Sequence, residues 1–234
     1  MITAYHRINP WHKEDALTVS PGNFERQLRY LLGRGFKAVT PDDFIAGCGR
    51  LSAVCRMLLT TFDDGYADNL WHALPVLKGL GVTPVIFLTV NYIGTGDIFR
   101  RYADREKDRF LNWREVREMS LKDAVFGSHS LSHPHLPRVE GAALQNEISD
   151  SKKIIEDRTG REASFFCYPY GDFDERVIEA VKNAGYRGAV VTPGAARRTV
   201  KGVYTMHRTG VYGHNGFNAF RTKIWKDYLI ERFF

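Results

Sequence analysis

Cysteine is scarce in this chain of 234 residues. Only Cys48, Cys55 and Cys167 occur, no two of them spaced as CxxC, and so odd and scattered a set argues against a disulfide framework. They read as reduced residues, with Cys167 as a buried, inert one. Long apolar runs are missing too. None approaches the roughly 20 residues that cross a bilayer, and the opening "MITAYHRINP" has neither the basic start nor the apolar core of a signal peptide. The expected location is therefore cytosolic. There is no GxGxxG and no GxxxxGK[ST], which counts against a nucleotide-binding fold. Without internal repeats or a low-complexity linker, residues 1–234 are expected to form one domain.

Charge of one sign is also not concentrated anywhere. The net charge is +6, but the 33 basic and 27 acidic residues are interspersed. With no arginine-rich arm, zinc-finger spacing or RNA-binding signature, specific nucleic-acid binding has nothing but this balance behind it.

What the chain does contain is alternation. Short apolar runs such as "ITAY", "FKAVT", "MLLTTF", "VTPVIFLTV", "DAVFGSHS", "SFFCYPY" and "GAVVT" alternate with helical patterns. The helical segments begin with "SPGNFERQLRYLLGRG", where Ser20 is a candidate N-cap, and include the long "EGAALQNEISDSKKIIEDRTG". Strand and helix in turn imply parallel strands joined by crossovers, hence a barrel or a doubly wound sheet. Residues 91–110 are irregular and charged, either a solvated loop or a flap. The tail "FRTKIWKDYLIERFF" is expected to pack as a last helix, with peripheral contact to an anionic membrane as the alternative.

Polar residues collect just past the expected strand ends: His6, Asp63 and Asp64, His129 and His133, and Tyr170. In a parallel barrel all these ends open on one face. The adjacent carboxylates of "FDDG" repel, so they call for a cation or for two separate roles, the alternative being a strand that simply ends in an Asp-Gly turn. His129 and His133, four residues apart, can bring two imidazoles to one metal, the alternative being two surface histidines. With one carboxylate they make a three-ligand site with positions left open, and the other carboxylate is free to take a proton. Unlike HExxH, the segment "HSLSH" holds no acidic base of its own.

These motifs together resemble those of the polysaccharide deacetylases, carbohydrate esterase family four. TFDDG stands at Thr61–Gly65, the H-[S/T]-x-x-H-P motif at His129–Pro134, and "CYPYG" at Cys167–Gly171 where the family has R-x-P-Y. The resemblance spans residues 57 to about 193 and implies a distorted parallel β/α barrel of seven or eight strands. It implies a divalent metal, usually zinc, on Asp64, His129 and His133, with Asp63 as general base and the Tyr170 backbone N–H on the oxyanion. The implied reaction is metal-dependent removal of acetyl groups from N-acetylated amino sugars of a polysaccharide, oligosaccharide or lipid-linked glycan. A related amidase or esterase and an inactive glycan-binding protein are the alternatives.

Two departures from the family stand out. Cys167 replaces the arginine that orients the base, so another basic residue must serve or Asp63 must be held differently. The family's late L-x-x-H motif has no clear match either. "ITAYHRI" resembles the N-terminal segment of circularly permuted members, which makes His6 the expected general acid and His207 the alternative. In a closed barrel the first and last strands are neighbours, so head and tail positions coincide in space. Among the remaining candidates, His135 and His72 read as surface or packing residues and Asp172 as a helix N-cap. Phe165, Phe166 and Tyr168 read as core, while Trp113 and Tyr92 are candidates for lining a glycan groove.

Overall fold

The computed structural model describes residues 1–12, 15–48, 56–96, 108–191 and 202–233. Its strands and helices alternate as β1 (Ile2–Tyr5), β2 (Arg7–Ile8), β3 (Thr18–Val19), α1 (Pro21–Gly33), β4 (Lys37–Ala38), α2 (Pro41–Cys48) and β5 (Met57–Phe62). There follow α3 (Leu74–Leu80), β6 (Pro84–Leu88), α4 (Trp113–Leu121), β7 (Val125–Ser128), α5 (Gly141–Gln145) and α6 (Ser151–Thr159). The chain ends with β8 (Phe165–Tyr168), α7 (Glu175–Asn183), β9 (Gly188–Val191), β10 (Thr209–Gly210) and α8 (Phe217–Phe233).

The main sheet runs β10-β1-β5-β6-β7-β8-β9, with every pairing parallel. β4 pairs with the start of β5 at Met57 and Leu58, and β1 takes over the same edge from Leu59 to Phe62. A parallel bridge from Val190 to Met206 joins β9 to the segment that continues into β10. The curled sheet thus meets itself, giving the distorted β/α barrel expected of alternating strands and crossovers.

Side chains two apart along each strand sort the core into layers. Ile2, Leu59, Val85, Phe87, Phe165, Cys167 and Val190 fill the interior of the curl, with Phe44 of α2 added to them. The alternate residues Leu58, Phe62, Ile86, Leu88 and Phe126 face α1, α3, α4 and α8. Phe166 and Tyr168 pack with Val177 and Val181 of α7. The three aromatic residues expected in the core are therefore there, on both sides of one strand.

Ser20 caps α1 as expected, its hydroxyl accepting from the Asn23 N–H. Asn112 and Glu115 form a capping box at α4. The expected cap at Asp172 is a correction: Asp174 is the N-cap of α7 and accepts from the Val177 N–H at 2.8 Å. Asp172 instead faces His135, with Oδ2 at 3.1 Å from its Nδ1. Two helices also carry a π-turn that period counting does not reveal, at Asn69–Ala73 before α3 and at Asn146–Asp150 between α5 and α6.

Gly127, just ahead of the His129 loop, has no room for a side chain. A Cβ there would meet the Phe165 carbonyl oxygen and the Phe87 ring, each at 2.7 Å. Gly127→Ala is expected to cost about 1–3 kcal/mol through overpacking, read as a lowered midpoint in urea unfolding.

Candidate active site

β5 delivers Asp63 and Asp64 to the C-terminal mouth of the curl. Asp63 is fully buried, and its own N–H donates to the Tyr5 carbonyl of β1. Asp64 follows in a left-handed conformation, φ 71°. Ser130, His133 and Tyr170 are also left-handed, at φ 67°, 60° and 58°. Such conformations cost of order 1–3 kcal/mol each for residues with a side chain. Four of the five described non-glycine residues with positive φ thus lie in this one mouth.

The loop after β7 brings the two imidazoles together, with His129 Nε2 and His133 Nε2 3.2 Å apart. Asp64 Oδ1 stands 3.8 Å from the first and 3.7 Å from the second. His129 Nδ1 donates to the Cys167 carbonyl at 2.7 Å, which fixes the tautomer and leaves Nε2 as the free lone pair. Burial disfavours the cationic form of both rings, lowering His129 and pushing His133 down to about 3, with the charge of His129 adding to the effect there. Two neutral imidazoles and one carboxylate, their donor atoms all within 4.8 Å of one another, fit a divalent cation.

A residue unseen in the motifs holds this loop. Glu147, in the second π-turn, accepts the N–H groups of Leu131 and Ser132, both at 2.9 Å, and the Ser132 hydroxyl at 2.5 Å. The carboxylate thus pins the residues between the two histidines. Asn69, in the other π-turn, donates to the His6 carbonyl at 2.9 Å. Beside it Arg7 is fully buried, its Nε on Asp68 at 2.9 Å and a terminal nitrogen on Asp108 at 2.5 Å. These contacts fix the backbone on both sides of His6. Its Nε2 stands 3.9 Å from Asp63 Oδ2.

The replacement for the missing arginine comes from the far end of the chain. Arg208 is buried, and its two terminal nitrogens donate to Asp63 Oδ1 and Oδ2 at 2.7 and 2.8 Å. It also reaches Thr61 Oγ1 at 2.9 Å and the Val191 carbonyl at 3.1 Å, and lies 3.0 Å from Cys167 Sγ. Burial by itself raises the Asp63 carboxyl, but the charge and paired hydrogen bonds of Arg208 outweigh it and hold the group below the usual carboxylate range. Cys167 is buried as expected, yet it lies against the Asp63–Arg208 pair.

Met206 packs against the interior cluster and Arg208 enters the same interior, with the half-buried His207 between them. The structure brings His6 to Asp63; among the described residues no hydrogen bond or ion pair joins His207 to that carboxylate. Tyr170, about half exposed, places its ring 4.5 Å from that of His133 and stacks on His135 at 4.1 Å. Tyr92 reaches the site too, donating from its hydroxyl to the Ser132 carbonyl at 3.3 Å. Trp113 does not: it packs against the core with Arg158 over its ring. His72 is a packing residue against Trp11. Residues 97–107 of the expected flap, and Cys55, lie outside the described residues.

Compared with known proteins, residues 52–189 match the polysaccharide deacetylase family. The chain belongs to the polysaccharide deacetylases. Its relative YxkH of Bacillus subtilis, whose name places it among them, is 30% identical over 214 residues, covering 90% of this chain and 70% of YxkH. Among solved structures, the deacetylase PplD of Streptococcus pyogenes, determined in complex with acetate, superposes with a TM-score of 0.79 at 20% identity. The match covers 95% of this chain and 96% of PplD. IcaB from Ammonifex degensii gives a TM-score of 0.71 at 22% identity, covering 96% of this chain and 95% of IcaB. At such identities these structures speak for the fold alone. In this polysaccharide deacetylase the arginine beside Asp63 is supplied not by the "CYPYG" motif but by Arg208, one residue before β10.

Proposed function

We propose that the chain removes the acetyl group from N-acetylated amino sugars of a polysaccharide or oligosaccharide, with a divalent metal, zinc by preference, at Asp64, His129 and His133. The observation that carries this reading is one buried carboxylate, Asp63, gripped by an arginine and set beside a separate two-histidine, one-carboxylate cluster. The two roles inferred for neighbouring aspartates are thereby separated in space. The ion would supply Lewis acidity toward the acetamide carbonyl and the attacking water.

Asp63 accepts the proton of that water, and Arg208 keeps it ionised and oriented for the transfer. The Tyr170 backbone N–H donates to the oxyanion that develops at the carbonyl. His6 protonates the departing amine, because an amide nitrogen leaves poorly without a proton. The products are acetate and a free amino sugar.

Acetate release from N-acetylglucosamine oligomers, with added zinc and with chelator, tests the proposal. Release that chelation abolishes and zinc restores is expected; release indifferent to chelation would remove the metal from the scheme. His129→Ala should lose bound zinc as well as activity, measured as zinc per chain after dialysis. For the general acid, His6→Ala is expected to lower turnover by about a hundredfold or more, whereas His207→Ala stays near wild type. The opposite ranking would assign the proton to His207.

A further inference from the structure

A second charged feature lies on the outer wall, where α8 packs on α1 through Phe220 and Ile224. A cleft of about 380 Å³ is lined there by Tyr30, Arg34, Asn218, Arg221, Thr222 and Trp225. Its two lining guanidinium groups, and those of neighbouring Arg26 and Arg56, stack on aromatic faces. Arg34 and Arg221 lie 5.2 and 5.5 Å from the Tyr30 ring centre, Arg26 lies 3.9 Å from that of Phe217, and Arg56 lies 5.5 Å from that of Trp225. Trp225 Nε1 donates to the Tyr30 hydroxyl at 2.8 Å, which ties the two helices together. Among the described residues none of these four arginines forms an ion pair with a carboxylate, although neighbouring Arg29 pairs with Glu25 at 2.7 Å.

We propose that this cleft docks the chain on the headgroup phosphates of an anionic phospholipid surface. Stacked guanidiniums are weakly hydrated, held in place, and present a fork of N–H donors that matches phosphate. Arg34 and Arg221 are exposed, as are Asn218 and Thr222, so a single free phosphate placed here stays hydrated and gains little. A plane of phosphates engages the exposed cations Arg26, Arg34 and Arg221 together, while Trp225 and Tyr30 supply the amphipathic rings suited to a headgroup layer. Among the described residues no helix is long and apolar enough to cross a membrane.

The topology then fixes an orientation. Arg34 follows α1 and Arg56 directly precedes β5, so both stand at the N-terminal ends of the strands, opposite the end that carries Asp63 and His129. Docking through this wall leaves the candidate active site, at the other end of the strands from Arg34 and Arg56, open to glycan in the aqueous phase.

Sedimentation with vesicles tests this, comparing phosphatidylglycerol-containing vesicles with pure phosphatidylcholine. Association with the anionic vesicles alone, falling as salt rises, is expected. Arg34→Gln with Arg221→Gln should weaken it by about thirtyfold and leave acetate release from soluble oligomers unchanged, which also shows the variant folded. No association at low salt, or association that the double variant retains, would overturn the proposal. Tight binding of inorganic phosphate or a soluble phosphosugar that displaces the vesicles would overturn it in favour of a soluble ligand.

Discussion

Asp63→Asn is expected to lower acetate release by between about a hundredfold and ten-thousandfold, the range that a positioned general base contributes, while the chain still takes up added zinc. Asparagine has the shape of aspartate but cannot accept the proton, and Asp64, His129 and His133 remain in place. The substitution has a second consequence, because Arg208 is buried against Asp63 on both carboxylate oxygens. Removing one partner of such a pair leaves a buried charge uncompensated and costs about 3–5 kcal/mol. Activity and zinc must therefore be measured well below the lowered melting temperature. Asp63→Asn combined with Arg208→Met separates the effects: the neutral pair should recover much of the stability and none of the rate. If Asp63→Asn retains full turnover, the carboxylate is not the base.

The fold and the cluster were open to reading because each has a local signature. Alternating apolar runs and helical periods show where strands and helices lie, and a parallel arrangement forces their C-terminal polar residues onto one face. TFDDG and HSLSHP each place their side chains within a few residues of one strand end. Arg208 has no such mark. It lies 145 residues from Asp63, in the segment "YTMHRTGV", where His207 draws the eye as the titratable group. The clue was indirect: a missing arginine at Cys167 demands a cation from elsewhere, and the segment that closes a barrel beside β1 can supply one. Glu147 was hidden differently, as one carboxylate in a helix dense with charge, whose π-turn alters which residues face the loop. The N-cap shift from Asp172 to Asp174 is of the same kind. Both are acidic residues just ahead of α7, and only the backbone geometry decides between them.

Arg208→Met tests whether a borrowed arginine does for Asp63 what the family's own would do. With the guanidinium gone, burial acts on the Asp63 carboxyl unopposed and raises it. The wild-type carboxyl is depressed when folded, so its pairing adds stability above the unfolded value of about 3.9, and that stability is lost as the pH falls through the folded value. In the variant the sign reverses: the buried carboxyl becomes a penalty at neutral pH, relieved as acid protonates it. Stability near neutral pH should drop by about 3–5 kcal/mol, and the acid limb of the rate profile should move to higher pH. A purely structural role for Arg208 would lower stability without moving that limb. Cys167 offers the complementary experiment, since its Sγ lies 3.0 Å from the Arg208 guanidinium and 3.8 Å from Asp63. Arg208→Ala with Cys167→Arg returns the arginine to the position it holds in the family motif, and is expected to restore the acid limb and part of the rate. If the double variant keeps the shifted acid limb of Arg208→Met, then the direction from which the guanidinium approaches Asp63 matters as much as its charge, and the tail of the chain is a component of the base that the motif position cannot replace.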